Sequence, residues 1–147
     1  MNRLTLFTLL IATSGCTSFP QGPDELRAST PNPKILCFQE NSDYVVEQVD
    51  SYLRVCYAPA TISGLKMNGV RVVNASILAW RVEKVAIPAG TRFDIASQSG
   101  YFGAVQIRKS EGQCNAIAEI RYFNVFWERL VGHIEKAVRG EVPNCAK

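Results

Sequence analysis

The chain has 147 residues, of which 47% are hydrophobic and 20% charged, and a formal net charge of +3. That balance suits a packed globular core and excludes a disordered polar chain. Sixteen basic side chains face 13 acidic ones without forming a basic run, so there is no ground to expect nucleic acid or a polybasic lipid-binding patch.

In chain order, the first signal is a basic start at Arg3, an apolar run from Leu4 to Ala12, and then Thr13-Ser14-Gly15-Cys16. The run is too short to cross a bilayer and has the layout of a secretory signal peptide. With its small residues directly before Cys16, it resembles a bacterial lipoprotein signal, although Thr13 stands where Leu is usual. The resemblance covers residues 1–16 only. It implies that residues 1–15 are removed, that Cys16 is lipidated, and that acyl chains hold the protein on a membrane. It also implies sorting to the outer membrane with the domain facing the periplasm, because Thr17, not a retaining Asp, follows the cysteine.

Five cysteines less Cys16 leaves Cys37, Cys56, Cys114 and Cys145, an even set that in an exported chain predicts two disulfides. We expect Cys37 to pair with Cys56 and Cys114 with Cys145, although four cysteines permit three pairings and sequence does not choose. No Cys-x-x-Cys spacing and no neighbouring His suggests zinc, so neither metal nor cofactor is expected.

Residues 16–34 carry four of the seven prolines and few apolar side chains, which predicts a semi-extended tether behind the lipidated cysteine. Residues 35–147 are then one periplasmic domain. It should open with a strand from Ile35 to Phe38. The stretch Asp43–Tyr57 is ambiguous: Val45, Val49, Tyr52, Leu53 and Cys56 share a helical face, yet four Val and three Tyr favour a strand. We read it as helix.

From Val70 onward the period changes to two. Strands are expected at Val70–Val73, Ile77–Ile87, Thr91–Ile95, Tyr101–Lys109 and Ala116–Phe123, separated by turn chemistry at Asn74-Ala75-Ser76, Pro88-Ala89-Gly90, Ser97–Gly100 and Ser110–Gln113. Such short links cannot house crossover helices, so the strands should form an antiparallel meander with one face in water. A last amphipathic helix is expected from Phe126 to Arg139, with Phe126, Trp127, Leu130, Val131, Ile134, Ala137 and Val138 as its apolar stripe, Asn124 as cap and Gly140 as stop. The fold class is therefore α+β: an antiparallel meander packed with one or two helices and stapled by two disulfides.

Catalytic chemistry is not recognisable. His133 lies at the edge of the last helix's stripe without a nucleophile or acid placed beside it by any motif. Oxidised cysteines are not nucleophiles. Acid pairs such as Asp43 with Glu47, or Glu111 with Glu119, are what thirteen carboxylates yield by chance. The candidate contact site is Gly100-Tyr101-Phe102-Gly103, where neighbouring aromatics on a strand should point to opposite faces and at least one should be exposed as an anchor. The expected function is a non-enzymatic outer-membrane lipoprotein that binds another envelope protein. A second reading is a periplasmic inhibitor of a lysozyme-like enzyme, because Ser99-Gly100-Tyr101 resembles the Ser-Gly loop of such inhibitors, though the aromatic motif that follows it there is absent. A small cell-wall hydrolase is the third.

Overall fold

Period-two alternation and tight turns produce the expected meander. In the computed structural model, which describes residues 18–57, 80–141 and 145 and the backbone of 65–67 and 70–72, strands β4 (Arg81–Ile87), β5 (Gly90–Ser97), β6 (Gly100–Lys109) and β7 (Ala116–Tyr122) follow one another antiparallel. Strand β1 (Lys34–Phe38) completes the sheet by pairing with β7, so the spatial order is β1-β7-β6-β5-β4. Val70–Val72 does not join it. That segment is β3 of a separate two-stranded ribbon with β2 (Leu65–Met67), while residues 73–79, including the start of the strand expected from Ile77, lie outside the described residues.

The ambiguous stretch is helical: α2 spans Ser42–Tyr57. Asn41 caps it, its Oδ1 accepting the Tyr44 N–H at 2.8 Å. The strand-forming side chains lose to periodicity here, because a helix buries Val45, Val49, Tyr52 and Leu53 together on the sheet. The last helix, α3, spans Arg129–Val138 and buries Leu130, Ile134, Ala137 and Val138. Its start is later than expected. Asn124 Oδ1 accepts the Phe126 N–H and opens a 3-10 turn over Val125–Trp127, which takes Phe126 out of the apolar stripe and leaves it 76% exposed.

Both helices lie on one sheet face, over Phe93, Ile95, Val105, Ile107, Ala118 and Ile120. Each fully buried side chain of this size contributes about 1.5–3 kcal/mol, so this layer is the main source of stability. Asp50 of α2 ties the helix to the edge strand, accepting from Lys84 Nζ of β4 at 3.0 Å and from Arg54 Nε at 2.7 Å.

The other sheet face is wet only in part, and the expected tether is the reason. Residues 23–29 form a helix, α1 (Pro23–Ser29), with proline in its first turn followed by Asp24 and Glu25. Proline at that position pre-sets φ and gives up an N–H that has no helical partner anyway, and acids there suit the dipole. Proline content thus initiates a helix here, and the one large apolar residue it carries, Leu26, is fully buried. α1 lies against β6 and β7, and Arg121 of β7 donates to the Thr30 carbonyl. Residues 19–30, expected as a tether outside a domain of residues 35–147, are therefore packed as part of it. Beneath α1, Asp94 is only 1% exposed.

The disulfides are two, as expected, but paired differently: Cys37 with Cys114 and Cys56 with Cys145, at Cα separations of 5.4 and 5.1 Å. The cause is the β1–β7 pairing. Phe38 stands opposite Ala116, and Asn115 donates its backbone N–H to the Phe38 carbonyl, which sets Cys37 beside the segment entering β7. Cys56 is left for the tail. After α3, Gly140 adopts φ +75°, and the Glu141 N–H bonds back to the Lys136 carbonyl in a Schellman-type reversal. Cys145, beyond this reversal, is bonded to Cys56 at the end of α2.

Candidate functional site

The Gly100-Tyr101-Phe102-Gly103 segment divides at a β-bulge. Ile95 pairs with Gly103 and Ala96 with Tyr101, so Phe102 is the extra residue on β6. The two aromatics go to different environments. Phe102 is 9% exposed and turns towards the helices. It lies 5.0 Å from the ring of Trp80, 5.4 Å from Trp127, 5.0 Å from Phe19 and 6.4 Å from Phe123. Of the two rings expected on opposite faces, with at least one exposed as an anchor, Phe102 is the inward one: the bulge rotates it into an aromatic cluster that buries more surface than an outward ring would.

Tyr101 remains partly exposed on the other side. Arg81 lies over its ring at 5.5 Å, donates weakly to its hydroxyl at 3.4 Å and pairs with Glu83 at 2.6 Å. The turn before it is not a free tip. The Tyr101 N–H donates to the Pro20 carbonyl at 2.7 Å, and Gln21 Nε2 donates to the Ser99 carbonyl at 3.2 Å. Gly100, at φ +141°, lets the strap come this close: a Cβ there would stand 2.5 Å from the Pro20 oxygen.

The ring cluster extends further than sequence spacing indicates. Tyr57, at the end of α2, stacks on Trp127 at 5.6 Å and meets Trp80 edge-on at 6.2 Å. Tyr57, Trp80, Trp127, Phe126, Arg129, Leu130 and Cys56 line a cleft of about 230 Å³. Beside it Val125 and Phe126 are 69% and 76% exposed, and Phe19 is also partly exposed. Sequence reasoning overlooked Phe19, Tyr57 and Trp80 because they come from three separate segments. The one available signal was Phe19-Pro20, an apolar pair inside an otherwise polar stretch.

Titratable groups elsewhere are occupied in holding the fold. His133 Nδ1 and Tyr52 Oη share a hydrogen bond at 2.9 Å between α3 and α2. Burial, and then the charges of Lys136 and Arg129, lower the His133 pKa, and burial raises that of the Tyr52 hydroxyl, so both are neutral at neutral pH. Asp94 Oδ2 accepts from Arg92 Nε at 2.8 Å, while its Oδ1 has no partner among the described residues. Glu119 is tied to Arg108 at 3.5 Å, and Asp43, Glu47 and Glu111 are not gathered into a site. Cys37, Cys56, Cys114 and Cys145 are all in disulfides. Among the described residues no group of three or more His, Cys, Asp or Glu could hold a metal, and no helix is long and apolar enough to cross a membrane. Cys16 lies outside the described residues. Comparison with protein-family models, with curated proteins and with solved structures finds no significant match to this chain.

Proposed function

We propose that this chain is an exported lipoprotein, anchored through Cys16 in the outer membrane and facing the periplasm, that acts by binding another envelope protein and not by catalysis. The observation that carries this reading is the fate of the cysteines. Cys37, Cys56, Cys114 and Cys145 are consumed in two bridges that join sheet to loop and helix to tail, an arrangement suited to an oxidising compartment. Cys16 alone is left over, in the position where a lipoprotein signal would have it acylated.

A binding role is supported by the chemistry that remains. The one histidine is neutral and bonded to Tyr52, and the acids are exposed or tied to arginine and lysine. The contact surface is the patch of Tyr101, Arg81 and Glu83, with Phe102 as its buried support. An aromatic ring carrying a guanidinium is a low-entropy anchor for a protein partner. Inhibition through the Ser99-Gly100-Tyr101 loop is disfavoured because Pro20 and Gln21 bridge its backbone.

Cross-linking in intact cells followed by purification should recover one envelope protein with the wild type and lose it with the Tyr101→Ala/Arg81→Ala double variant. Equal recovery with both would sink the binding surface. Inhibition of lysozyme at stoichiometric concentration would favour the second reading, and release of soluble fragments from purified cell wall the third.

A further inference from the structure

The short distance between the anchor and the folded domain has a geometric consequence. Phe19 is already packed, with its ring 5.0 Å from those of both Phe102 and Phe123. Only Thr17 and Ser18 lie between it and Cys16, and three extended residue steps span at most about 11 Å. Wherever the intervening chain points, an acylated Cys16 must stay near Phe19. A long tether would have let the domain tumble freely above the bilayer. The docking of Phe19, Pro20 and α1 removes that freedom and selects which end of the domain meets the lipid.

That end is the aromatic one. Val125 and Phe126 follow Phe123 after Asn124 and are 69% and 76% exposed. Next to them are Trp127, Trp80 and Tyr57, the amphipathic ring types that favour the headgroup region of a bilayer. Arg129 lines the same cleft, is exposed, and has no ion-pair partner among the described residues, which suits it to an anionic headgroup. A contiguous exposed apolar patch marks a protein or membrane interaction site, and the anchor brings a bilayer within reach of this one.

We propose that Phe19, Val125 and Phe126 form a membrane-contact surface that seats the domain flush on the lipid headgroups beside the acylated Cys16. The proposal rests on the lipoprotein reading. Acyl chains supply attachment, and the rings, buried about 5–10 Å into the headgroup boundary, supply orientation. The Tyr101–Arg81 patch, on the opposite sheet face from α2 and α3, then has a fixed bearing relative to the bilayer.

The test uses the full acylated protein in vesicles of phosphatidylethanolamine and phosphatidylglycerol (3:1) whose acyl chains are brominated near the carbonyls. Mass spectrometry of the N-terminal peptide first establishes lipid on Cys16; its absence brings down the lipoprotein reading and this inference with it. With lipid present, emission from Trp80 and Trp127 should fall at least two-fold relative to unbrominated vesicles. The Val125→Ser/Phe126→Ser variant, checked for acylation and for an unchanged thermal transition, should lose most of that quenching. Unquenched emission in the acylated wild type overturns the proposal alone, as does full quenching in the folded variant. A photoreactive group at position 126 that captures a protein and no lipid in cells would assign this end to a protein partner and overturn it too.

Discussion

Phe102 and Tyr101 are neighbours in sequence with opposite energetic roles. Truncating Phe102 removes the ring at the centre of the contacts with Trp80, Trp127, Phe19 and Phe123, so Phe102→Ala should cost roughly 3–5 kcal/mol in urea unfolding. Tyr101→Ala removes a partly exposed ring beneath Arg81, an interaction worth at most about 1 kcal/mol, and should leave stability nearly unchanged. Comparable losses in the two variants would mean that the bulge does not separate them. Asp94 makes a different kind of prediction. Burial, together with the charge of Glu83, raises its pKa against the opposing pull of the Arg92 hydrogen bond and charge and of Arg27. The folded state therefore holds the proton more tightly than the unfolded chain does. The charged form opposes folding at neutral pH, and this penalty is relieved as pH falls from the folded-state pKa towards the unfolded value of about 4. Across that window the stability of the wild type should rise relative to Asp94→Asn. A difference between the two that does not change with pH would show that Asp94 is hydrated and not covered by α1.

At the scale of elements, α1 is the sharpest departure from expectation, and it depends on Leu26. A seven-residue helix has no stability of its own in water. It persists because Leu26 is buried against the sheet and because Arg121 and the Pro20 carbonyl join the strap to β7 and β6. Leu26→Ala should withdraw roughly 2–5 kcal/mol from that docking. Hydrogen exchange at residues 19–30 should then become fast while β5, β6 and β7 stay protected. Fast exchange of residues 19–30 in the wild type as well would restore the extended tether. The contrast with α2 explains what was legible. Val45, Val49, Tyr52 and Leu53 announce a helix because the pattern is contained in the element itself, and the same holds for alternation in β6 and β7. α1 offers one large apolar residue in a stretch of four prolines, and only its tertiary partner shows that Pro23 starts a helix. Phe126 failed for a related reason: a 3-10 turn capped by Asn124 shifts the register, and spacing alone does not distinguish 3.0 from 3.6 residues per turn over so short a stretch. The candidate site was half legible. Tyr101-Phe102 marked the right strand, but the rings that surround Phe102 come from segments up to about a hundred residues apart.

For the whole molecule, the disulfides decide how the layers are held, and their pairing follows from topology that no local pattern contains. The expected pairs, Cys37–Cys56 and Cys114–Cys145, would have closed short loops of roughly 20–30 residues, each worth about 3 kcal/mol in the chain-entropy treatment. The observed pairs span 77 and 89 residues and interleave, since Cys56 lies inside the first loop and Cys114 inside the second. Loops of that length are worth about 4.5 kcal/mol each in the same treatment, although the second adds less once the first is closed. The Cys37–Cys114 bridge fastens the edge strand β1 where Asn115 and Gln39 already hydrogen-bond across to the neighbouring segment. Cys56–Cys145 fastens the tail to the helical layer on the opposite end of the chain. Together they bind both ends of the domain to its middle. Non-reducing peptide mapping should therefore yield Cys37 linked to Cys114 and Cys56 to Cys145. Replacing either pair with serine should lower unfolding stability by roughly 2–5 kcal/mol, and replacing both should abolish folding at 37 °C. Recovery of a Cys37–Cys56 peptide would contradict the pairing of β1 with β7, and with it the order of the sheet.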